Sequence, residues 1–334
     1  MNRRFIVATV ALASATTVVW PAPQTDAGNP SSKRSVSAID EPGRIYVQHR
    51  FELVGIDPDT KDRKIFGLGN VQDLVYQYLT SARLAPDGRR LAFGKPYIDI
   101  ANAGAFPPNK ILVRDITNSE KSEVLVEMNG FELQHWVWSK DGSKMAFASW
   151  DAKENYRNWI VETRDRKVEE VRLPRYKTES GAAWQMTLQD WSPDGTHFVA
   201  VGDGLHLVKA DGSFVKRLAE AAQAVRRGTC RFSPDGAKLL YVVVGRSGEG
   251  RTLNILDVAT GTVQPLVEGL NFTELRACWA PDSKRIAYTA THVGGNAGLE
   301  THLNIIDPVG KNSVTVLSER HERNEMALFL IDWR

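Results

Sequence analysis

The sequence Trp-Ser-Pro-Asp-Gly at residues 191–195 is the stretch that decides the fold. Its proline presets the backbone for the second position of a type I turn, and glycine is tolerated at the last position. A large apolar residue directly before the turn is typical of the end of a short strand. Four further segments follow the same template: LAPDG at 84–88, WSKDG at 138–142, FSPDG at 232–236 and WAPDS at 279–283.

A second apolar segment begins seven residues after the large template residue in all five copies, at Leu91, Met145, Phe198, Leu239 and Ile286. Such constant spacing is what a fixed hairpin register requires. A third and a fourth apolar segment then follow, for example at residues 253–256 and 262–266. Each unit therefore predicts four strands.

The template recurs every 41 to 54 residues, which is typical of propeller blades. The units resemble the PD40 (WD40-like) repeats of the TolB-like β-propellers, and the resemblance covers nearly everything after residue 43. It implies an all-β chain of four-stranded antiparallel blades. An open sandwich of short strands is the alternative, but constant spacing and matching chain ends favour the propeller.

The two ends of the chain complete the blade count. Residues 44–47, 53–57 and 64–67 match the second, third and fourth strands of a unit that lacks its first strand. The C-terminal segment 328–334 matches the template strand and stops at Trp333-Arg334, where the turn would follow. We therefore expect the C-terminal strand to join the N-terminal blade, which closes a ring of six blades over residues 44–334 and removes two sheet edges.

The repeated template residues are interpreted as structural. Large aromatic rings at one structural position favour packing between blades over an aromatic ligand cage. The aspartates of the turns belong to the same repeated template. These residues are Trp138, Trp191, Phe232, Trp279 and Trp333, with Asp87, Asp141, Asp194, Asp235 and Asp282.

The N-terminal residues predict export. Arg3 and Arg4 precede a short apolar stretch, and small residues offer cleavage after Ala15 or after Ala27. We take residues 1–27 as a signal peptide and residues 28–43, rich in Ser, Pro, Gly and charge, as a flexible tether. A transmembrane anchor is the alternative, but the apolar stretch is short for spanning. The adjacent arginines raise the twin-arginine route, but the pattern around them is weak and favours the general secretory route. We expect a periplasmic or secreted monomer with no membrane span after cleavage.

The charge balance and the motifs exclude several classes of function. There are 42 basic and 40 acidic residues, so a net charge of +2 does not indicate nucleic acid as the partner. The chain carries no Gly-x-Ser-x-Gly, no phosphate-binding loop, no His-Glu-x-x-His and no dinucleotide fingerprint. We therefore predict no cofactor, no catalytic residues and no enzymatic activity.

The residues beside the template aromatics give two further expectations. Cys230 stands two positions before its template residue and Cys278 one position before, so the two thiols should face opposite sides of their blades and stay free and buried. Arg83, Asp190, Arg231 and Asp332 each stand one position before. We expect ion pairs between neighbouring inner strands, Asp332 with Arg83 and Asp190 with Arg231.

The two faces of the ring differ in their loops, and this difference is the main clue to function. One face carries the short Pro-Asp-Gly turns, whereas the long insertions and the connections between blades lie on the other, the long-loop face. Exposed aromatics on a rigid scaffold suit contact with a protein, a peptide or a glycan. The alternative is that these side chains cover blade edges. The partner-binding candidates are Tyr97, Phe106, Trp150, Tyr156, Tyr176 and Trp184.

One histidine pair keeps an enzymatic alternative open. His292 ends a second strand and His302 opens the next, so a hairpin would bring both beside Glu300. Two imidazoles and a carboxylate suit a divalent ion, although solvated loop histidines are more common. Some pectin-degrading lyases use similar repeats with a histidine-lined metal site. By that resemblance, a metal-assisted polysaccharide lyase or hydrolase is the alternative to a binding protein.

Overall fold

The computed structural model describes residues 43–49, 52–66, 82–99, 104–117, 121–151, 155–177, 183–220, 224–245, 250–269, 272–293, 298–321 and 328–334. The predicted signal peptide (1–27) and the tether before Gly43 lie outside these ranges. Within them the chain is all-β and contains no helix. It follows that no described helix is long and apolar enough to cross a membrane.

The strands form six antiparallel blades. From the centre outward, blade 1 holds β27 (Phe329–Trp333), β1 (Ile45–His49), β2 (Glu52–Ile56) and β3 (Arg63–Phe66). Blade 2 holds β4 (Arg83–Leu84), β5 (Arg90–Asp99), β6 (Gly104–Asp115) and β7 (Glu123–Glu127). Blade 3 holds β8 (Phe131–Trp138), β9 (Lys144–Asp151), β10 (Tyr156–Glu162) and β11 (Val168–Val171).

The other three blades repeat this order. After a separate hairpin of β12 (Arg175–Lys177) and β13 (Ala183–Gln185), blade 4 holds β14 (Thr187–Trp191), β15 (His197–Val201), β16 (Gly204–Lys209) and β17 (Phe214–Glu220). In blade 5, β18 (Ala224–Val225) and β19 (Arg231–Phe232) both pair with β20 (Lys238–Val244), followed by β21 (Arg251–Asp257) and β22 (Val263–Gly269). Blade 6 holds β23 (Phe272–Trp279), β24 (Ile286–Val293), β25 (Leu299–Ile306) and β26 (Val314–His321).

The core lies in the seams between blades. Six hydrophobic clusters of the described residues each join two blades that follow one another, and the last joins blade 6 to blade 1. The template residue of every blade belongs to the cluster shared with the preceding blade: Leu84, Trp138, Trp191, Phe232, Trp279 and Trp333. Burying one large apolar side chain stabilises each seam by about 1.5–3 kcal/mol. The predicted six-bladed ring is confirmed.

The ring closes as the chain ends predict. Strand β27 pairs with β1, with Trp333 opposite Ile45. The backbone N–H of Gly43 donates to the carbonyl of Arg334 at 2.7 Å, and the Trp333 indole donates to the carbonyl of Gly43 at 2.9 Å. These bonds satisfy backbone groups that would otherwise form an open edge.

The aspartates of the template turns accept hydrogen bonds within their own turns. Each carboxylate accepts the backbone N–H two residues on, from Arg89, Ser143, Thr196, Ala237 and Lys284 respectively. Hydrogen bonds from the hydroxyls of Ser139 and Ser192 lower the pKa of Asp141 and Asp194 to about 2. The last turn position adopts a positive φ, for example 74° at Gly195 and 59° at Ser283. That torsion explains why glycine stands there in four of the five copies.

The two cysteines behave as expected. Both are free and buried, and burial raises the pKa of each thiol. Cys230 lies in the seam with the preceding blade 4, whereas Cys278 lies in the seam with blade 1 on the other side. The two thiols therefore face opposite sides of their blades and do not form a disulfide.

Candidate binding face and central channel

The long insertions are hairpins rather than irregular loops. Strands β5 and β6 extend until Asp99 pairs with Gly104, and β9 and β10 extend to Asp151 and Tyr156. Continued pairing satisfies backbone groups that a loop would leave to solvent. The insertions therefore project from the long-loop face as extensions of the blades.

The six predicted contact residues fall into three cross-strand pairs. Tyr97 lies opposite Phe106 in the β5–β6 ladder, Trp150 opposite Tyr156 in β9–β10, and Tyr176 opposite Trp184 in β12–β13. In all three pairs, the two residues are neighbours in the backbone register of the ladder. The fold therefore brings together in pairs the residues that were chosen for their type and loop position.

The Trp150–Tyr156 pair is resolved in its side chains. Both residues are half-buried, and their rings meet edge-to-face with centroids 4.4 Å apart. Arg227 completes the group, because its Nη1 donates to the Tyr156 hydroxyl at 2.8 Å and its guanidinium carbon lies 4.4 Å from the ring centroid. A cation and two aromatics thus form one unit at the long-loop mouth of the channel, which we call the aromatic–arginine group.

A second set of arginines lies beside it. Glu274 accepts from Arg226 Nη2 at 2.8 and 3.0 Å and from Arg276 Nε at 3.0 Å. The Arg276 guanidinium also lies 5.1 Å from the Phe329 ring centroid. Burial is the main cause that lowers the pKa of Arg276. One carboxylate therefore serves two guanidinium groups.

His135 lies deeper in the channel in an unusual backbone conformation. Its φ is 54°, next to a register shift between Gln134 and Val137. Burial, followed by the charges of Arg227, Arg83 and Arg226, lowers the pKa of His135 to about 3, so the imidazole is neutral.

Two arginines converge on the carbonyl of Gly228. Arg83 Nη2 donates to it at 3.2 Å and Arg231 Nη2 at 3.3 Å, while the Gly228 N–H donates to the side-chain oxygen of Gln189. Blades 2 and 5 stand opposite each other in a ring of six, so Arg83 reaches across the channel. A Cβ at Gly228 would lie 2.8 Å from His135 Nδ1, and φ there is +80°. Glycine is therefore required for this close approach.

The expected ion pairs between inner strands are wrong. Asp190 Oδ2 instead accepts the backbone N–H of Phe232 at 2.7 Å, and Asp332 pairs with Arg334 at 2.8 Å. Arg83 feels both carboxyls only at longer range, and burial lowers its pKa to about 10. Burial also raises the pKa of Asp190 to about 7. Asp190 accepts from the backbone N–H because the strand fixes the position of that donor, whereas ordering an arginine side chain costs conformational entropy.

A funnel opens on the opposite, short-turn face. Its cavity of about 560 Å³ is lined by residues of all six blades, including Arg83, Asp190, Arg231, Asp332 and Pro281. On the long-loop side, a separate cleft of about 500 Å³ runs beside Tyr156 and the β12–β13 hairpin.

The three metal candidates are brought together on blade 6. His292 lies opposite Glu300 across β24 and β25, and His302 follows two residues later on the same side. The Nε2 atoms of His292 and His302 lie 3.7 and 3.8 Å from the Glu300 carboxylate, and the imidazole rings stack at 5.1 Å. The Ser318 hydroxyl lies 2.7 Å from His302 Nδ1. Within the described residues, these three side chains form the group that could hold a metal ion.

Sequence reasoning missed the channel arginines Arg226 and Arg227 and the role of His135. The signal that would have found them is the connection between blades 4 and 5, where Arg-Arg-Gly at residues 226–228 leads into an inner strand. Connections of this kind end at the channel in a propeller.

The strand order defines the fold as a six-bladed β-propeller. No family model matches the sequence, and no curated protein matches it. Among solved structures, TolB from Acinetobacter baumannii is similar, with a TM-score of 0.59 and 18% identity over 90% of this chain and 67% of that one. A putative TolB from Agrobacterium tumefaciens gives 0.57 and 14%, over 83% of this chain and 89% of that one. An oligogalacturonate lyase from Vibrio parahaemolyticus gives 0.50 and 13%, over 81% and 78%. At such identities the likeness shows the fold alone.

Proposed function

We propose that this chain is an exported, non-catalytic propeller scaffold of the cell envelope, periplasmic or secreted, that binds a protein or peptide partner through its long-loop face. In this proposal residues 1–27 are a signal peptide, 28–43 a tether and 44–334 a monomeric binding module. The observation that carries it is the aromatic–arginine group of Trp150, Tyr156 and Arg227 at the mouth of the channel.

The composition of this group supports a protein partner. Tryptophan, tyrosine and arginine are the residues most enriched among those that dominate binding energy at protein interfaces. The β9–β10 hairpin holds Trp150 and Tyr156 on a rigid support, which reduces the entropy lost on binding. A glycan would also stack on such rings, so it is the second ligand to compare.

The test is capture of a partner from envelope extract, followed by affinity measurement with the purified partner. We expect Trp150→Ala to weaken binding by at least tenfold, since a central aromatic is worth about 2 kcal/mol or more. Phe214→Ala provides the matched control, because Phe214 is an exposed aromatic on the outer strand of blade 4. Equal loss in both variants, or loss in neither, would refute the assignment to this face.

The second candidate function is a metal-assisted polysaccharide lyase or hydrolase. The observation that favours it is the grouping of His292, Glu300 and His302. Metal analysis of purified protein separates the two candidates. Stoichiometric metal that is lost in His292→Ala, together with turnover of acidic polysaccharide, would favour the enzyme; a metal-free protein without turnover would favour the binding module.

A further inference from the structure

We infer that His292, Glu300 and His302 on blade 6 bind a divalent transition metal of the zinc class, which cross-links the β24–β25 hairpin and takes no part in catalysis. The inference goes beyond the proposed function, because it gives the binding module a metal of its own, bound near the tip of one of its long hairpins.

The register of the hairpin places the three side chains on one side of the blade. His292 lies opposite Glu300 in the β24–β25 ladder. Side chains alternate along a strand, so Glu300 and His302, two residues apart, share a side of β25. The three side chains are between 23% and 29% exposed, and a dissolved ion therefore has access to them.

The spacing of the three side chains fits an ion between them. Nε2 of His292 and Nε2 of His302 lie 3.7 and 3.8 Å from the Glu300 carboxylate, beyond hydrogen-bond distance. One ligand atom from each residue lies within 4.8 Å of the other two. Zinc bonds of about 2.0–2.1 Å in a tetrahedral site require ligand atoms about 3.3 Å apart. The gaps to Glu300 therefore close by about half an ångström when the metal binds, and that between the imidazoles by at most about 1.5 Å.

A hydrogen bond behind His302 supports the same assignment. Ser318 lies opposite His302 on β26, and its hydroxyl is 2.7 Å from Nδ1. A hydrogen bond at Nδ1 orients the ring and leaves the lone pair of Nε2 for a metal, as is typical of metal-binding histidines. Nε2 is the nitrogen on the side of Glu300.

Arg320 competes for the same carboxylate but is held weakly. It lies opposite Glu300 on β26, and its Nε is 3.8 Å from Glu300 Oε2. Its side chain is 84% exposed, so it moves into solvent at little cost when a metal takes its place.

The ligand types select the class of metal. Imidazole suits zinc and its transition-metal neighbours, whereas calcium and magnesium take oxygen ligands. Two imidazoles and one carboxylate therefore favour Zn²⁺ over Ca²⁺ and Mg²⁺. Three protein ligands leave the fourth position of a tetrahedral site to water.

The location of the site indicates a structural role. Tyr288 and Ala290, at alternate positions before His292 on β24, belong to the seam with blade 5. The funnel of the short-turn face and the cleft beside Tyr156 are lined by other residues. A ligand in either cavity does not touch the metal, so the metal acts by joining β24 to β25 and stabilising the folded state.

The experiment titrates Zn²⁺, Ca²⁺ and Mg²⁺ separately into the purified full chain, produced without a histidine tag and freed of metal by chelation. Isothermal titration and the metal-induced shift in Tm are measured for the wild type, His302→Ala, Glu300→Gln and Ser318→Ala. His49→Ala is the matched control, because His49 Nε2 lies 2.6 Å from Glu319 in a histidine–carboxylate pair outside the proposed site. The metal-induced shift is used because a variant can change Tm on its own account.

We expect one Zn²⁺ per chain and a rise in Tm with Zn²⁺ but not with Ca²⁺ or Mg²⁺. His302→Ala and Glu300→Gln should weaken Zn²⁺ binding by at least about tenfold and remove the rise in Tm. Ser318→Ala should weaken binding by about tenfold, as the loss of a partner behind a metal ligand does. His49→Ala should stay within about twofold of wild type.

Three results would overturn the inference. The first is less than one Zn²⁺ per chain, or an equal response to Ca²⁺. The second is an affinity that falls as far in His49→Ala as in His302→Ala. The third is zinc-dependent turnover of acidic polysaccharide that is lost in Glu300→Gln, which would make the site catalytic.

The metal site and the proposed function fail separately. Partner capture is tested at Trp150 on blade 3, whereas Zn²⁺ binding is tested on blade 6. Zn²⁺ binding without a captured partner would support the metal site and remove the binding module, and the reverse result would do the opposite.

Discussion

Arg83 of blade 2 crosses the channel and donates a hydrogen bond to the carbonyl of Gly228 in blade 5, at 3.2 Å. The two residues are 145 positions apart in sequence. Arg231 donates to the same carbonyl from the same side of the ring as Gly228. The bond from Arg83 to Gly228 therefore joins two opposite blades of the ring.

Redundancy at the Gly228 carbonyl gives the first prediction. Arg83→Gln and Arg231→Gln should each lower the free energy of unfolding by less than about 1 kcal/mol, since the other arginine still satisfies the carbonyl. The double variant should lose about 1–3 kcal/mol because a buried acceptor is then left unpaired. Chemical denaturation of all four proteins measures the coupling. Strictly additive effects would show that the two bonds are independent.

Asp190 gives a prediction about pH. Its folded pKa of about 7 lies above the unfolded value near 4, so the folded state binds the proton more tightly and its stability falls as pH rises from about 4 to about 7. The slope is at most about 1.4 kcal/mol per pH unit. Asp190→Asn removes it while keeping an acceptor for the Phe232 N–H. The difference in stability between the variant and the wild type should therefore be more favourable to the variant at pH 8 than at pH 5. An equal difference at both pH values would contradict this.

His135 should show the opposite dependence. Its folded pKa of about 3 lies below the unfolded value near 6.5, so its contribution to stability is present above pH 6.5 and is lost as pH falls. His135→Asn keeps a residue that tolerates positive φ and cannot be protonated. We expect this variant to resist acid better than wild type between pH 6 and pH 4 in thermal melts. In the wild type, the opposite pH dependences of stability from Asp190 and His135 partly cancel. Each single variant should therefore show a steeper or reversed dependence of stability on pH.

The positive φ of the template turns predicts that Gly195→Ala lowers stability through backbone strain. A Cβ there meets nothing within 4 Å, but φ is +74°, so the cost of Gly195→Ala is backbone strain alone, about 1–2 kcal/mol. Ser283 occupies the same turn position at φ 59° with a Cβ already present. Ser283→Ala adds no strain and should cost no more than its exposed hydrogen bond to Asp235. Urea denaturation compares the two, and equal losses would exclude strain as the cause.

The two thiols should be protected in the native state. Cys230 and Cys278 are 0% and 4% exposed, and burial raises the pKa of both, so little thiolate forms at pH 8. We expect no labelling by iodoacetamide without denaturant and two labels in guanidinium, read by mass spectrometry. Native labelling at a rate close to that of the unfolded chain would show that the seams open readily.

Part of the candidate site could be predicted from the sequence, and part could not. The aromatic pair Trp150 and Tyr156 could be chosen from sequence, because residue type and position in an insertion are both local properties. Arg227 could not, because its contact with Tyr156 joins residues 71 positions apart. The Asp190–Arg231 pairing failed for a related reason. Sequence placed the two residues on neighbouring strands, but the direction of each side chain and the competing N–H of Phe232 depend on the packed strands.

The sequence by itself determined the blades of this protein. Turn chemistry and the seven-residue step to the next strand are short-range, so the template at residues 191–195 and its copies, with the matching ends, specify six blades and the closure at Trp333. Only the tertiary structure decided what meets at the centre of the ring. There, Arg83, His135, Arg227 and Gly228 come from three blades. The pKa values of Arg83 and His135 depend on burial and on neighbouring charges, which act through space and not along the chain.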